Sequence, residues 1–273
     1  MKRIKGFNHH KVNGYAFGSW PFGEPSMYVY VWEIDGLLID TGHKHMRKEI
    51  MEKIGVLPVT QLYVTHHHED HSANIKEIKE HFSCQVFTSS KCATIMKQPP
   101  SLSPAQRFMW GKADPFHNFN IENNQINTAN YSFRIIPIPG HASDMVCLYE
   151  EKQGWLFSAD LYLNHYIKYF MKAESMKAHI ESLKKIRILE FDSMFCAHNP
   201  QMSQPKLLLK KKQQFFEDFY GNVSSRYHKG MTEKEIFNDM NLKETKQIKM
   251  MSLGALSTFN MVRSVMRDEA SVL

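Results

Sequence analysis

Four of the 15 histidines in this 273-residue chain fall within six consecutive positions. The segment 66–71 reads His-His-His-Glu-Asp-His. It follows an apolar run predicted to form a strand over 60–65, and it precedes 72–82, where apolar residues recur at helical spacing. A solvated histidine cluster or a tag-like sequence would not stand between two core elements. We therefore interpret the segment as a metal site at a strand-to-helix junction.

The spacing within this segment suits two metal ions. His66 and His68 are two residues apart, so in extended backbone their imidazoles leave on the same side and can hold one ion. Asp70 and His71 follow where the chain turns into the helix, and they can face a second ion. Imidazole nitrogens and carboxylate oxygens are the ligands that borderline divalent metals accept.

Three later segments end in a further candidate ligand placed just after a predicted strand. The strands and the residues that follow them are 131–138 with His141, 154–158 with Asp160, and 191–196 with His198. A single His or Asp at such a position is more often a cap or a turn residue. Their common position makes these three a set.

The rest of the chain predicts a mixed α/β protein. Further strands are expected over 27–34, 37–40, 84–88 and 144–149, and further helices over 44–54 and 174–190. The order β-α-β-α-β over the first part indicates an α/β fold.

Two regions depart from this alternation. Prolines and polar residues break any period over 90–130, which predicts an irregular insertion with one short helix around 104–111. No strand is expected over 204–273. That region predicts three helices: one containing Leu207 to Phe219, one starting at the capping box Thr232-x-x-Glu235, and a Met-rich amphipathic helix over 248–267. We expect a first domain over 1–200 and a helical extension over 201–273 that packs on it.

The motif HxHxDH, followed in order by His, Asp and His, resembles the signature of the metallo-β-lactamase-fold hydrolase superfamily over residues 27–200. The resemblance implies a mixed α/β (α+β) fold, an αβ/βα four-layer sandwich with the site at one edge of the two sheets and a helical C-terminal extension. It also implies seven ligands in two sets that share one carboxylate: His66, His68 and His141 in the first set, Asp70, His71 and His198 in the second, and Asp160 bridging both. The cofactors implied are two divalent metal ions, Zn²⁺ first, with Mn²⁺ and Fe²⁺ as alternatives.

Individual residues narrow the resemblance to the glyoxalase II-like hydrolase branch. True β-lactamases lack either His71 or the bridging Asp160, and diiron flavoproteins of this fold have a glutamate in place of His68. Relatives of glyoxalase II usually have a glycine after the last histidine, whereas Asn199-Pro200 stands here. Thioester specificity is therefore left open.

We expect a dinuclear metal-dependent hydrolase that uses a metal-bridging hydroxide to cleave a small ester, thioester or lactone. Asp70 is the expected catalytic residue, because it can orient the water and relay a proton to the leaving group. A phosphodiesterase or nuclease is an alternative, since the net charge of +6 suits a polyanion, although the 90–130 insertion is only sparsely basic. A single-iron sulfur dioxygenase, which uses a related ligand set, is a second alternative.

The expected partner is a small-molecule substrate. Four widely separated cysteines without a CxxC motif, and no run of ~20 apolar residues, favour the cytoplasm and no membrane partner. A nucleic-acid partner is not expected. The oligomeric state is left open, with a homodimer among the alternatives.

Several residues beside the predicted ligands have expected or open roles. Asp40, at the end of the strand 37–40, is expected to hydrogen-bond a ligand histidine and fix its tautomer. His67 should point away from the metals as a structural residue. The roles of Tyr162, His165 and Tyr166 are left open.

Overall fold

The computed structural model describes residues 1–20, 23–25 and 27–271. The strands in this part of the chain are β1 (Lys2–His9), β2 (Val12–Ser19), β3 (Val29–Ile34), β4 (Leu37–Ile39), β5 (Gln61–Val64), β6 (Gln85–Thr88), β7 (Asn120–Ile121), β8 (Gln125–Asn127), β9 (Ser132–Pro137), β10 (Val146–Glu150), β11 (Trp155–Ala159), β12 (Phe170–Met171), β13 (Ser193–Cys196) and β14 (Leu256–Ser257). The helices are α1 (Arg47–Ile54), preceded by a 3-10 turn over Lys44–Met46, α2 (Glu69–Ser72), α3 (Ile75–Phe82), α4 (Ser90–Met96), α5 (Pro104–Trp110), α6 (Met176–Arg187), α7 (Pro205–Tyr227), α8 (Glu233–Asp239), α9 (Lys246–Met251) and α10 (Thr258–Ala270).

The first seven strands form one sheet in chain order. Pairing is antiparallel from β1 to β4 and parallel from β4 to β7. In the parallel part, Ile39 lies opposite Tyr63 and Tyr63 lies opposite Phe87. The carboxyl ends of β4 and β5 therefore meet at one edge, which brings Asp40 beside the segment that carries the histidine cluster.

The second sheet has the strand order β13-β11-β10-β9-β8. Its outer pair, β11 and β13, is parallel, whereas the other pairs are antiparallel. Because β11 and β13 run in the same direction, the residues that follow them, Asp160 and His198, emerge at the same edge. A third, two-stranded sheet pairs β12 with β14.

The two large sheets pack face to face through aromatic side chains. Phe157 and Phe195 stack with their ring centroids 4.7 Å apart, and Trp32 meets Phe195 edge to face at 5.2 Å. Residues alternate between faces along each strand, so Tyr63 joins this inner core while its neighbours Leu62 and Val64 pack outward.

Helices cover both outer faces. Ile50 of α1 and Ile78 of α3 pack with Leu62 on the first sheet. Leu183 of α6 and Phe216 of α7 share the core on the second sheet. The predicted four-layer αβ/βα sandwich is therefore confirmed. The division into domains at residue 200 stays a prediction.

The predicted helix over 72–82 is in error at its start. The helical segment begins at Glu69, and α2 and α3 are separated at 73–74. The side chain of Asn74 donates to the carbonyl oxygens of Thr41 and Gly42 at 2.9 and 3.1 Å. These hydrogen bonds hold the residues between the two helices against the loop after β4.

The predicted irregular insertion over 90–130 is more ordered than expected. The short helix around 104–111 is present as α5, but α4, β7 and β8 were missed. Ser89 caps α4 by accepting a hydrogen bond from the backbone N–H of Cys92 at 3.3 Å.

Two predictions for the C-terminal part are wrong. The single helix over 248–267 is divided into α9 and α10, and 204–273 does contain a strand, β14. Leu253 and Gly254 have φ values of +50° and +78°, which end α9, and the next residues pair with β12 instead. The helix that includes Leu207 and the helix capped by Thr232 are present as α7 and α8.

The N-terminal hairpin of β1 and β2 was not predicted. Side chains of β1 are mostly exposed on both faces, so the strand carries no alternating pattern. No helix in the described ranges is both long and apolar enough to cross a membrane.

Candidate metal centre

The seven predicted ligands meet at one end of the two sheets. His66 and His68 lie in the loop after β5, and Asp70 and His71 lie in α2. His141, Asp160 and His198 come from the ends of three elements of the second sheet. The strand-end placement seen in the sequence therefore corresponds to a shared location in space.

Three imidazole nitrogens converge in the first group. His68 Nδ1 lies 3.1 Å from His66 Nε2 and 3.0 Å from His141 Nε2. One atom from each of these residues lies within 4.8 Å of the other two. These are the residues predicted to hold one ion.

The second group combines one carboxylate with two imidazoles. Asp70 Oδ2 lies 3.3 Å from His198 Nε2 and 3.6 Å from His71 Nε2. These three residues again offer atoms within 4.8 Å of one another. They are the residues predicted to hold the other ion.

Asp160 lies between the two groups. Its Oδ2 is 3.2 Å from His141 Nε2 and 3.4 Å from His198 Nε2, while its Oδ1 is 3.3 Å from His71 Nε2. An overlapping set of His66, His71 and Asp160 also satisfies the 4.8 Å separation. The carboxylate thus contacts both groups, as a bridging ligand would.

The chemistry of these groups fits divalent cations. Nitrogen lone pairs about 3 Å apart repel one another unless a proton or a cation lies between them. His71 Nε2 and Asp160 Oδ1 are buried and, within the described part of the chain, have no hydrogen-bond partner. Buried polar atoms without partners are costly, and a cation held between them would remove that cost.

Burial keeps two histidines of the first group neutral. Burial lowers the pKa of His68 to about 3, and the charge of His141 adds to this effect. Burial and the charge of His71 hold the pKa of His66 well below its usual value. Neutral imidazoles retain the lone pair that a metal ion requires.

Carboxylates dominate the electrostatics around the other ligands. Burial opposes protonation of His198, but Asp160 and Asp70 outweigh it and raise its pKa to about 10. Burial likewise opposes protonation of His141, and its contacts with Asp160 and Glu174 raise its pKa to about 10. The centre therefore attracts positive charge, and a bound cation would displace these protons.

Fixed acceptors hold the ring nitrogens that face away from the centre. His71 Nδ1 donates to Asp40 Oδ2 at 2.7 Å, which is the hydrogen bond expected of Asp40. His198 Nδ1 donates to the carbonyl oxygen of Tyr28 at 2.8 Å, and His141 Nδ1 lies 3.5 Å from Glu174 Oε2. With these nitrogens engaged, the Nε2 atoms are left to face the centre.

Tyr28, Glu174 and Asp144 were missed by sequence reasoning. Glu174 also accepts a hydrogen bond from His179 Nε2 at 3.1 Å. It lies 3.5 Å from His141 Nδ1, and the N–H of the next residue, Ser175, donates to the Gly140 carbonyl oxygen at 3.0 Å. Asp144 accepts from His67 Nδ1 at 2.8 Å, and His67 is in none of the three ligand groups. His67 thus has the expected structural role. No local sequence signal identifies such long-range partners.

The residues after Asp160 differ in their surroundings. Tyr162 is buried in the core of the second sheet. His165 is exposed, and Tyr166, 54% exposed, packs against Phe215 with ring centroids 4.8 Å apart.

The chain is similar to known proteins in both sequence and fold. The family model described as the metallo-beta-lactamase superfamily matches residues 20–198. The hydroxyacylglutathione hydrolase of Bdellovibrio bacteriovorus is 25% identical over 143 residues, which are 52% of this chain and 50% of that protein. The hydroxyacylglutathione hydrolase of Salmonella arizonae is 22% identical over 212 residues, which are 74% of this chain and 76% of that protein. For the first three curated relatives that it matches, the chain spans half of the relative's length or less.

Solved structures share the fold at low identity. A beta-lactamase domain protein from Burkholderia ambifaria superposes with a TM-score of 0.68 and 16% identity, covering 96% of this chain and 87% of that one. The flavodiiron protein of Giardia intestinalis gives a TM-score of 0.58 and 14% identity over 81% of this chain and 61% of that one.

Proposed function

The chain belongs to the metallo-beta-lactamase superfamily, and we propose that it is a metal-dependent hydrolase of a small ester, thioester or lactone. One observation carries the proposal. Two groups of buried imidazoles and carboxylates meet on a single carboxylate, Asp160, whose oxygens lie 3.2–3.4 Å from three histidines. A structural zinc site needs only four ligands, and seven in two groups exceed that need.

The proposed cofactors are two divalent cations, with zinc first and manganese or iron as alternatives. His66, His68 and His141 would hold one cation, and Asp70, His71 and His198 would hold the other. Asp160 would contact both. When bound, such cations lower the pKa of water toward neutrality and polarise the bond to be cleaved.

Asp70 is the proposed catalytic residue. Burial opposes its ionisation, but the charges of His71 and His198 outweigh burial and hold its pKa below the usual range. The ionised carboxylate orients the attacking water by accepting a hydrogen bond, and it can pass that proton to the leaving group. Asp40 supports this role indirectly, because it holds His71 in place.

Thioesters are the first substrate class to test. The hydrolases named above act on hydroxyacylglutathione, in which an acyl group is attached to the glutathione thiol. The four cysteines are buried and unpaired, which supports the cytoplasm or another reducing compartment. Similarity to flavodiiron proteins is under 25% identity and supports the fold alone.

Metal content and turnover, measured together, test this proposal. Protein purified without added metal is assayed with esters, thioesters, lactones and phosphodiesters, alongside His68→Ala and the matched control His67→Ala. We expect His68→Ala to lose metal and hydrolysis together, whereas His67→Ala keeps both, because His67 faces Asp144. Preferential turnover of a phosphodiester would favour the nuclease alternative. One iron per chain with no hydrolysis would favour a dioxygenase.

A further inference from the structure

Asp160, the residue between the two ligand groups, stands on an irregular turn at the end of β11. The pairing of β11 with β13 shifts its register between Phe157 and Ala159. Ala159 has a φ of +45°, in the left-handed region that a residue with a Cβ rarely adopts. The backbone N–H of Leu161 donates to the Ser158 carbonyl oxygen at 3.0 Å, which closes the turn. The direction of the Asp160 carboxylate therefore depends on contacts that hold this strained turn in place.

Hydrogen bonds from two other parts of the chain hold the turn. The backbone N–H of Ala197, just after β13, donates to the Ala159 carbonyl oxygen at 3.0 Å. The side chain of Lys212, in α7, donates from Nζ to the Leu161 carbonyl oxygen at 2.6 Å. Because Leu161 directly follows Asp160, Lys212 fixes the backbone next to the residue that contacts both ligand groups.

Lys212 is buried among apolar side chains. The residue is 2% exposed, and its Nζ lies 5.2 Å from the centre of the Phe216 ring. Among the residues that the structure describes, the Leu161 carbonyl oxygen is the hydrogen-bond partner of Nζ, and no carboxylate pairs with it. A buried ammonium without a paired carboxylate costs free energy that an apolar side chain would not cost. Stability alone would favour an apolar residue here, which leaves the bond to Leu161 as the contact that Lys212 serves.

We propose that Lys212 is a positioning residue for the metal centre, which keeps the Asp160 carboxylate in contact with both ligand groups by holding Leu161. The inference rests on the proposed hydrolase function, because it concerns the two cations of the same site. It deepens that proposal by giving α7 a part in metal binding. Without the bond from Lys212, the turn would let Asp160 move relative to both groups, so one substitution should weaken the binding of both cations.

The Lys212→Met variant, with metal affinity and stability measured separately, tests this role. Methionine is an unbranched side chain of similar length that has no donor and no charge. The full-length protein is stripped of metal and titrated with Zn²⁺ in competition with a chromogenic chelator. We expect the affinity for both ions to fall about 10- to 100-fold, the range for loss of a group that orients a metal ligand. The free energy of unfolding of the metal-free protein, measured in urea at the same pH, should be unchanged or higher.

These two readouts distinguish a positioning role from a structural one, because a residue that only stabilised the fold would lower both. Gln213→Met is the matched control. Gln213 is the next residue of α7 and is also buried, but its side chain is hydrogen-bonded to Arg187 and Glu217 at 2.6 and 3.0 Å. Neither partner is a candidate ligand, so this variant should bind Zn²⁺ as the wild type does.

Three results would overturn the inference. They are wild-type Zn²⁺ affinity in Lys212→Met, a loss confined to one of the two ions, and a loss of affinity accompanied by a lower free energy of unfolding. Assays of the same samples with esters, thioesters and lactones separate the inference from the hydrolase. Hydrolysis by the wild type, with unchanged Zn²⁺ affinity in Lys212→Met, would overturn the inference and leave the hydrolase standing. The expected loss of affinity, with no hydrolysis by the Zn²⁺-loaded wild type, would support the inference and contradict the hydrolase.

Discussion

The Asp40→Asn substitution should weaken metal binding through the tautomer of His71. Asp40 is 2% exposed, its Oδ1 accepts the backbone N–H of Thr65 at 2.8 Å, and its Oδ2 accepts His71 Nδ1–H at 2.7 Å. In asparagine the carbonyl oxygen must stay on the Thr65 N–H, so the amide NH₂ faces His71. This amide group would donate a hydrogen bond to His71 Nδ1. The ring proton would then be on Nε2, the atom that faces Asp70 and Asp160. A protonated nitrogen cannot bind a metal ion.

The expected loss is about 10- to 100-fold in metal affinity, the usual effect of removing a partner that orients a ligand histidine. This corresponds to about 1.4–2.7 kcal/mol. Competition with a chromogenic chelator, at one pH and on the full chain, measures it directly.

A second carboxylate–histidine pair, formed by Asp144 with His67 of the same 66–71 segment, provides the control. Asp144 is also buried, and it accepts both the side chain and the backbone N–H of His67 at 2.8 and 2.9 Å. Asp144→Asn should therefore lower the free energy of unfolding, as Asp40→Asn does, but it should leave metal affinity unchanged. Wild-type affinity in a folded Asp40→Asn protein, or an equal loss in both variants, would refute the tautomer reasoning.

Three further substitutions test the packing around the centre. Burial lowers the pKa of Lys212 from 10.5 to about 8. Between these two pH values the unfolded chain binds more protons than the folded chain, so the free energy of unfolding rises with pH across that window. Lys212→Met should remove this rise, which amounts to at most about 3 kcal/mol and is measured by urea unfolding at both ends of the window. Both ring nitrogens of His43 are buried and have no hydrogen-bond partner within the described part of the chain. His43→Leu should therefore raise the free energy of unfolding by about 1–3 kcal/mol in the same assay. A decrease in the free energy of unfolding would contradict this expectation. Gly140 has a φ of +146°, and a Cβ there would lie 2.6 Å from His179 Cγ. Gly140→Ala should therefore lower the free energy of unfolding by about 2–4 kcal/mol, and it should lower metal affinity by displacing His141. An unchanged melting temperature would contradict this expectation.

The candidate site was predictable because its residues carry local signals. His66 to His71 stand at one strand-to-helix junction, and His141, Asp160 and His198 each follow a strand. Parallel pairing of β4 with β5, and of β11 with β13, converts these sequence positions into one location. Asp40 was predictable for the same reason, since it follows β4.

The parts that were missed depend on contacts distant in sequence. Glu174 reaches His141 from the segment just before α6, and Asp144 pairs with His67 from 77 positions away. Nothing in their own neighbourhoods marks them. The edge strand β1 lacks alternation because both of its faces are largely exposed, and the division between α9 and α10 follows from the pairing of β14 with β12.

The number of metal ions per chain tests the central claim most directly. Elemental analysis of protein purified without added metal, with His68→Ala and His67→Ala beside it, measures this number. Because six candidate ligand side chains meet in two groups around a seventh, Asp160, we expect two divalent ions per chain in the wild type and in His67→Ala, and a lower number in His68→Ala. A wild-type protein that turns over its substrate with no more than one ion per chain would contradict the dinuclear centre.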